Sequence, residues 1–496
     1  MNKNILLFIA AVVFFSCSKD SFTDNEQDEN EGENTPDVEI TISGNVAGTS
    51  NFSTGLSHVD YALRGGGKDQ DQSAQAKGRE LLSNAIGMHA THIHAFGVAS
   101  TWPDPQEDEP TVWWSLDQQM DVFLEMGGTP ALIFYNWPWH MRGVYNQGST
   151  TLVTAENQFK VEGRILTSKM PQFDILTDRI ARRYMAPPYN VRHFVLGNEM
   201  KGFYVRRDGA SGLWDSGMYP GTPGDNADHG YTYLWNRWAG VMREAAADLG
   251  INPGELVLMG PYAAVRSEAK PSNGTVEAGH PLYGKPYGEF RKNAIETIDT
   301  FLENADNPRG IAFDGGSRNV SGGELVDIYE RQKKWTDMMN YIRNHAGGTG
   351  TNLPVFVAET YLRRADDETA TENQYASFKT AGLFELVRSG YRSAWLWGPI
   401  GKGEPDDPEG GMMTGTETAN GAQPKLWYHS VKTVHEQFPP GTDFYGISIS
   451  DNDKIDAMAN ATNVFLVNKT GQDLTVDVNG EPTDLSGYEC KLIAWN

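Results

Sequence analysis

The segment VRHFVLGNE (Val191–Glu199) indicates how this chain folds. Its apolar run is typical of a buried β-strand, and the run ends on an amide and a carboxylate, Asn198 and Glu199. A second run, VFVAETY (Val355–Tyr361), carries a carboxylate in the same way at Glu359. A single glutamate at a strand end is ordinarily a solvated rim residue or a helix cap. Two of them in one repeating pattern indicate a shared site.

Strand-like and helix-like segments alternate along most of the chain. The strand-like runs are Thr54–Val59, Met88–Phe96, Thr129–Asn136, Val191–Gly197, Glu255–Pro261, Gly310–Asp314, Pro354–Glu359 and Arg392–Gly398. The segments with helical periodicity are Ala76–Ile86, Ser115–Met126, Gln172–Tyr184, Thr232–Leu249, Tyr287–Asn304, Gly323–His345, Asn373–Ser389 and Pro424–Phe438. Because parallel strands need crossover connections, this pattern predicts an α/β fold, a (β/α)8 TIM barrel. A doubly wound sheet is the alternative, but GGG at Gly65–Gly67 lacks the GxGxxG spacing that it would need.

The pattern changes after Pro439-Pro440. Short strand-like runs separated by Asn, Gly and Asp predict a small C-terminal antiparallel β-sandwich domain at residues 439–496. The barrel is predicted at residues 38–438, and Val38–Ser43 is a candidate extra strand of the sandwich.

The N-terminus has the pattern of a bacterial lipoprotein signal peptide at residues 1–17. Lys3 precedes the apolar run Ile5–Phe15, which is too short to span a bilayer. The following Ser16-Cys17 resembles a lipobox, which implies lipidation of Cys17 and a membrane anchor. An ordinary cleaved signal is the alternative. The acidic stretch at residues 18–37 predicts a disordered tether and resembles the surface-export signal of Bacteroidetes lipoproteins, which implies the outer membrane or cell surface of a Gram-negative bacterium.

Composition excludes some classes of function. The net charge of −24 disfavours nucleic acid as a partner, because phosphate binding needs a basic field. HExxH and CxxC motifs are absent from the sequence, so neither a metal nor another cofactor is expected. Of the two cysteines, one is the lipidation candidate, so no structural disulfide is expected. The chain is expected to be a monomer.

In a TIM barrel the active site lies at the C-terminal ends of the strands. Polar and aromatic residues at those ends are therefore candidates for substrate binding. They are His94 after the second strand (with His92 beside it), Asn136 and Trp137 after the third, Tyr262 after the fifth and Trp397 at the eighth. Core packing is the alternative for the histidines and for Asn136-Trp137.

The motifs GNE at the end of the fourth strand and VFVAETY at the seventh resemble clan A of the glycoside hydrolases. The trailing β-sandwich makes the layout most similar to family 39. The resemblance implies that Glu199 is the general acid/base, that Asn198 contacts the sugar 2-hydroxyl and that Glu359 is the nucleophile. It also implies that Trp397 forms the floor of the subsite that holds the scissile sugar.

The sequence departs from this family pattern at two places. Met200 stands where family 39 members often have proline after the acid/base. The end of the sixth strand, FDGGS (Phe313–Ser317), lacks the His-x-Tyr that often steadies the nucleophile in the clan. Tyr262 and His229 are the candidates for that task.

The predicted chemistry is acetal hydrolysis by two carboxyl groups. A pair about 5 Å apart works through a covalent intermediate and retains the anomeric configuration. One carboxyl must hold a proton while the other is ionised, and a nearby carboxylate favours protonation of the acid. The sequence therefore predicts a retaining glycosidase that cleaves a polysaccharide or its oligosaccharides.

Basic residues are predicted in the loops around the barrel mouth. They are Arg142, Lys201, Arg206, Arg207, Arg266, Arg363 and Arg364. Either they are solvated loop charges, or they form a positive cleft for the sulfate or uronate groups of an algal glycan, with Lys201 and Arg363 as binding candidates. Two further alternatives are an exo-acting glycosidase such as a β-xylosidase and a non-catalytic surface glycan-binding lipoprotein.

Overall fold

The structure is a computed structural model, and it describes residues 35–57, 63–64, 70–93, 100–135, 137–142, 154, 165, 167–199, 231–345, 352–362, 370–398, 400 and 411–495. All elements named below belong to one compact unit, Pro36–Asn496. The predicted signal peptide, most of the predicted tether and Cys17 lie outside the described residues, so these features remain predictions. Among the described helices, none is long and apolar enough to cross a membrane.

The secondary structure follows the predicted alternation. The described strands are β1 (Val38–Thr49), β2 (Ser53–Ser57), β3 (Met88–His92), β4 (Thr129–Phe134), β5 (His193–Leu196), β6 (Val257–Glu268), β7 (Glu289–Phe290), β8 (Gly310–Asn319), β9 (Val355–Tyr361), β10 (Ser393–Trp397), β11 (Asp443–Ile449), β12 (Ile455–Ala459), β13 (Asn463–Asn468), β14 (Leu474–Val478), β15 (Glu481–Leu485) and β16 (Cys490–Ala494). The described α-helices are α1 (Gln72–Ser83), α2 (Trp114–Met126), α3 (Met170–Met185), α4 (Tyr231–Asp248), α5 (Lys292–Asn304), α6 (Lys333–Arg343), α7 (Glu372–Arg388) and α8 (Leu426–Gln437).

Parallel strands form a closed barrel in the order β2, β3, β4, β5, β6, β8, β9, β10. The last strand returns to the first, where Trp397 of β10 pairs with Ser57 of β2. The short strand β7 is an antiparallel addition to β6. The prediction of a TIM barrel is confirmed, and each predicted strand-like run coincides with a barrel strand. The closure onto β2 is what distinguishes this fold from a doubly wound open sheet.

Helix α3 illustrates why the helices form and where they end. Its apolar residues recur at helical spacing, and Phe173, Leu176, Ile180 and Tyr184 are buried against the barrel. A proline stands in its first turn, where the missing N–H has no partner to lose, and the helix ends just before Pro187. Burial of each such large apolar side chain stabilises the fold by about 1.5–3 kcal/mol.

Strand β4 shows how the barrel separates its two apolar layers. Ala131, Ile133 and Tyr135 point into the barrel interior, whereas Leu132 and Phe134 belong to the core under the helices. This is the period of two that an extended strand imposes on its side chains. A side chain at the barrel mouth therefore faces the site only if it occupies one of the alternate positions of the strand that point into the barrel.

The C-terminal residues and β1 form two sheets whose strands pair antiparallel, apart from the parallel pair of β1 and β14, and this confirms the predicted β-sandwich. One sheet has the order β11–β1–β14–β15 and the other the order β12–β13–β16. Strand β1 comes from the N-terminal side of the barrel and pairs antiparallel with β11, for example at Ile40 and Ile449. Val38 and Ile40 of this strand lie in the apolar core between the sheets.

The sandwich packs against barrel helix α7. Arg388 Nη2 donates a hydrogen bond of 2.6 Å to Asp456, and Ser377 Oγ donates one of 2.7 Å to the carbonyl of Asn468. The rings of Phe384 and Phe465 meet edge to face between them, with centroids 5.4 Å apart. The sandwich thus braces the outer wall of the barrel on the side of β9 and β10.

Candidate active site

Three carboxylates meet at the mouth of the barrel. Glu199 follows β5, Asp314 lies in β8 and Glu359 lies in β9. One carboxylate oxygen of each residue lies within 4.8 Å of an oxygen of the other two. All three are buried, with exposed fractions of 9%, 1% and 3%. The two glutamates predicted as a pair are therefore neighbours, and an unpredicted third carboxyl group stands beside them.

A β-bulge in β9 turns Glu359 toward the barrel interior. Phe356 and Ala358 face the interior, so strict alternation would point Glu359 outward to the helices. The pairing of β9 with β8 shifts by one residue at Ala358, which is the signature of a bulge. The extra residue resets the alternation and places Glu359 and Tyr361 on the inward face.

Side chains on both sides of the Glu359 carboxylate hold it in place. The hydroxyl of Tyr361 donates a hydrogen bond of 2.6 Å to Glu359 Oε2. On the opposite side, His92 Nε2 lies 3.7 Å from Glu359 Oε1. His92 continues the inward row of Met88 and Ala90 on β3, which explains why it reaches the site. His92 was a candidate either for the site or for the core. Its contact with Glu359 shows that it is buried and also part of the site.

Glu199 is presented by a tight turn at the end of β5. Gly197 has φ +93° and Glu199 has φ +46°, so both residues adopt left-handed conformations. A Cβ atom at position 197 would be strained and would lie 3.2 Å from the Tyr231 ring, which explains the glycine. A left-handed glutamate is uncommon and is typical of functional sites. The turn directs the Glu199 carboxylate toward Arg266, with which it forms an ion pair.

Strand β6 carries a second bulge, at Tyr262. Met259 faces the barrel interior, yet the fully buried Tyr262 faces it as well, because the pairing with β8 shifts between Pro261 and Ala263. Tyr262 has φ +52°, the left-handed conformation expected of an inserted residue. Beyond the bulge the parity is reversed, and Arg266 therefore points into the mouth. The prediction that Arg266 lies in a loop is wrong, because Arg266 belongs to β6.

Arg266 connects two of the carboxylates. Its Nη2 atom pairs with Glu199 Oε1 and lies 3.3 Å from Asp314 Oδ2. Burial raises the pKa of the Asp314 carboxyl well above its ordinary value, and the hydrogen bond and charge of Glu199 raise it further. The Arg266 guanidinium opposes this rise. Asp314 therefore favours its protonated form more than a solvated aspartate does.

Glu359 experiences opposing influences. Burial raises the pKa of the Glu359 carboxyl above its ordinary value, and the charge of Glu199 adds to this rise. His92 and hydrogen bonding from Tyr361 and Tyr262 lower the pKa of the same group. The tyrosines therefore help to keep Glu359 ionised in a buried position.

A cavity of about 230 Å³ adjoins the carboxylates. It is lined by Arg266, Asp314, Gly316, Arg318, Val320, Tyr361 and Trp397. The rings of Tyr361 and Trp397 lie 5.8 Å apart and are tilted by 40°, so they form one aromatic wall. Asn198 is buried beside Glu199, and its Oδ1 accepts no hydrogen bond from the described residues.

The predicted binding residues differ in outcome. Asn198, Tyr262 and Trp397 lie at the barrel mouth in the described structure. Asn136, His94, Lys201 and Arg363 lie outside the described residues, as does His229. These five positions stay predictions.

Trp137 occupies a core position and not a sugar-binding surface. Its side chain is 4% exposed and packs edge to face against Phe173 of α3, with ring centroids 5.4 Å apart. Tyr135 still belongs to the core inside the barrel, whereas Trp137 belongs to the core under the helices. The core-filling alternative for Trp137 therefore fits the structure better than the substrate-binding one.

Sequence reasoning missed Asp314 and Tyr361 as members of the site. Asp314 stands in the FDGGS segment, which was noted only for lacking His-x-Tyr. An aspartate within an otherwise apolar strand was the available signal. Tyr361 follows Glu359 by two residues, a spacing that puts both on one face of a strand.

The three carboxylates could each offer one oxygen to a cation. The Arg266 guanidinium already contacts two of them and compensates part of their charge. The sequence prediction that no metal is required stays a prediction.

Comparisons with known proteins find solved structures that share this fold. No protein-family profile and no curated protein sequence matches the chain. The chain is similar in structure to the endo-β1,6-glucanase BT3312, with a TM-score of 0.58 at 10% identity, over 93% of this chain and 95% of that one. It is also similar to a monomeric β-xylosidase from Caulobacter crescentus CB15, with a TM-score of 0.55 at 13% identity, over 89% and 83% of the two chains.

A third similar structure is a glucosidase from Croceicoccus marinus, with a TM-score of 0.50 at 12% identity, over 87% of this chain and 78% of that one. Identities this low show a shared fold. These structures share the (β/α)8 barrel architecture that the resemblance to clan A implied.

Proposed function

We propose that this protein is a retaining O-glycoside hydrolase with Glu359 as nucleophile and Glu199 as general acid/base. The observation that carries the proposal is the approach of their carboxylate oxygens to within 4.8 Å at the ends of barrel strands β5 and β9. Retaining enzymes hold their two carboxyl groups about 5–5.5 Å apart, whereas inverting enzymes leave about 6.5–9.5 Å for a water molecule. The short separation favours retention.

The surroundings of each glutamate suit its proposed role. The hydrogen bond from Tyr361 orients Glu359 and favours the ionised form that a nucleophile needs. Glu199 is less deeply buried than Glu359 and pairs with Arg266, which lines the cavity, so its carboxyl group is placed to reach the oxygen of a leaving group. The Asn198 amide can donate to the sugar 2-hydroxyl, a contact that strengthens in the transition state.

The aromatic wall of Tyr361 and Trp397 can stack on a sugar ring bound in the cavity. Two arginines, Arg266 and Arg318, line the same cavity although the whole chain carries a net charge of −24. A guanidinium binds sulfate or carboxylate groups bidentately. These features support an anionic glycan, such as a sulfated or uronate-containing algal polysaccharide, as the substrate.

Similar structures include both an endo-glucanase and a β-xylosidase, so the shared fold is compatible with either endo or exo action. Our proposal is cleavage of a polysaccharide or its oligosaccharides, with an exo-acting glycosidase such as a β-xylosidase as the alternative. A non-catalytic glycan-binding protein is the alternative from another class, but such a protein has no need of two carboxylates held this close. We further propose that lipidation at Cys17 anchors the enzyme to the outer membrane or cell surface.

The first experiment is product analysis after incubation with a panel of marine and plant polysaccharides, neutral and anionic. The expected result is cleavage of an anionic polymer into oligosaccharides whose reducing ends first appear in the configuration of the cleaved bond. Failure to cleave any polymer or aryl glycoside of the panel would contradict the proposed hydrolase activity.

Azide rescue then assigns the two roles. With an aryl glycoside, Glu359→Ala should be inactive, and azide should restore turnover and give a glycosyl azide of inverted configuration. Glu199→Ala should give a glycosyl azide of retained configuration, because azide attacks the glycosyl-enzyme. Glu125→Gln is the matched control, because Glu125 ends helix α2 on the opposite face of the barrel. Wild-type activity in either alanine variant would contradict the assignment.

The charge of the substrate is tested with Arg318→Ala. A lost charged hydrogen bond costs about 1.5–3 kcal/mol, so KM for the anionic polymer should rise about tenfold or more. KM for a small neutral aryl glycoside should stay at the wild-type value. Arg309→Ala is the control, because Arg309 precedes the same strand at the other end of the barrel. Equal effects on both substrates would indicate a neutral glycan.

A further inference from the structure

Arg266, which lies beside the proposed acid Glu199, favours the ionised form of Glu199 and so opposes its role as a proton donor. An acid catalyst must carry a proton before it can give one to the leaving group. Arg266 forms an ion pair with Glu199, and a cation beside a carboxyl group favours the ionised form. With Arg266 as its only partner, Glu199 would be a poor proton donor.

Asp314 weakens the preference of Glu199 for its ionised form, because Asp314 and Glu199 contact the same guanidinium nitrogen of Arg266. Arg266 Nη2 contacts Glu199 Oε1 and also lies 3.3 Å from Asp314 Oδ2. When Glu199 takes up a proton, the guanidinium can pair with Asp314 without leaving its place. Two carboxyl groups this close also resist simultaneous ionisation, so together they retain one proton to higher pH than either would alone.

We propose that Asp314 is a positioning residue that shares Arg266 with Glu199 and thereby lets Glu199 hold the proton that it donates to the glycosidic oxygen. The inference rests on the proposed function and extends it to a third carboxyl group. Asp314 is 1% exposed, compared with 39% for the Arg266 side chain. Asp314 is therefore expected to act on Glu199 through Arg266.

The other groups around this pair are few and come from four strands. The titratable and charged groups that face Glu199 and Asp314 among the described residues are Arg266 and Tyr262 on β6, Arg318 on β8, Glu359 and Tyr361 on β9, and His92 on β3. Burial and then the hydrogen bond and charge of Glu199 raise the pKa of Asp314, so the one proton that the pair retains is shared between Asp314 and Glu199 and is available to Glu199 when the guanidinium pairs with Asp314.

The proposal predicts opposite shifts for two substitutions. In Asp314→Asn, Arg266 pairs only with Glu199 and the neighbouring negative charge is gone. The basic limb of the pH profile of kcat/KM should therefore move to lower pH by about one unit, the scale at which interacting sites couple. In Arg266→Met the cation is lost, and the basic limb should move to higher pH. A residue with a merely structural role would not produce shifts of opposite sign.

The first substrate of the test is a glycoside that the wild-type enzyme cleaves and whose leaving group is poor, so that its departure requires a proton from Glu199. A dinitrophenyl glycoside serves as the second substrate, because its leaving group needs no proton, so its profile should show no shift. Asp299→Asn is the matched control. Burial raises the pKa of Asp299 as well, but this residue accepts a hydrogen bond from Tyr341 between helices α5 and α6, outside the barrel.

A second measurement does not depend on activity. A carboxyl group whose folded pKa is raised stabilises the fold at low pH, and this contribution is lost as the pH rises through the folded pKa. The Tm of Asp314→Asn should therefore improve relative to wild type as the pH rises above about 4, the ordinary range of aspartate. A Tm difference independent of pH would overturn the proposed proton sharing.

The outcomes separate this inference from the proposed function. An inactive wild-type enzyme, or active variants at Glu359, would overturn the glycosidase proposal itself. Active wild type with an unmoved or upward-shifted basic limb in Asp314→Asn would overturn only the role of Asp314. If Asp314→Asn does not fold, Asp314→Ser takes its place in the same pH profile, and a basic limb that does not move to lower pH overturns the inference.

Discussion

Replacing Tyr361 by phenylalanine tests how the nucleophile is kept ionised. The substitution removes the hydroxyl that donates 2.6 Å to Glu359 Oε2 and retains the ring that packs beside Trp397. This hydrogen bond lowers the pKa of Glu359 against the effect of burial. Its loss should therefore raise the pKa of Glu359 and shift the acidic limb of kcat/KM to higher pH.

The size of the shift follows from the strength of the bond. A hydrogen bond to a charged group contributes about 1.5–3 kcal/mol, and one pKa unit corresponds to about 1.4 kcal/mol. The acidic limb should move up by about one to two pH units, and kcat/KM well below the limb should fall by about 10- to 100-fold. On the plateau above the limb the change should be small, because Glu359 is then ionised in both proteins.

The assay is kcat/KM for an aryl glycoside across the pH range of wild-type activity. Tyr341→Phe is a matched control, because its hydroxyl donates the same 2.6 Å bond to a carboxylate, Asp299, outside the barrel. That variant should keep the wild-type pH profile. An acidic limb that stays at the wild-type pH in Tyr361→Phe would refute the role given to this hydrogen bond.

Three further substitutions test packing, helix propensity and buried charge. Gly55→Ala should destabilise the barrel by about 1–3 kcal/mol in urea unfolding, because the new Cβ atom would lie 2.2 Å from the Trp395 ring. Gly240→Ala, in the exposed middle of α4 with open space around it, should instead stabilise by about 0.5–1 kcal/mol. Lys334→Met should destabilise more near pH 9 than near pH 6. Burial lowers the pKa of Lys334 to about 7, so its favourable contribution to folding grows as the pH rises from there toward its ordinary value, and a constant difference would contradict this.

Much of the fold could be predicted because the relevant signals are local. The strand runs that end at Glu199 and at Glu359 are apolar, bounded by polar residues and separated by amphipathic helices. Parallel strands with helical crossovers leave few architectures, and the barrel brings fourth and seventh strands together at one mouth. That reasoning was sufficient to pair the two glutamates without any knowledge of side-chain positions.

The remaining members of the site depended on features that a single sequence does not reveal. Trp137 was a candidate for stacking on a sugar because it follows a strand, but its side chain is buried in the core under the helices. Arg266 looked like a loop cation because the sequence does not show that β6 continues to Glu268. Asp314 was overlooked because a buried aspartate becomes meaningful only when its partner, Arg266, is known to be in contact with it.

The β-bulges in β6 and β9 explain why two charged side chains of the site, Arg266 and Glu359, point into the barrel mouth. Without the inserted Tyr262, the parity of β6 would turn Arg266 toward the helices, and without Ala358 the parity of β9 would turn Glu359 the same way. Each bulge therefore moves a charged side chain from the outer layer to the barrel mouth. Charged groups there are buried among aromatic rings and close to one another, which is the environment that separates the protonation states of neighbouring carboxyl groups. The irregular backbone of β6 and β9 is thus the structural cause of the electrostatics on which the proposed acid/base chemistry depends.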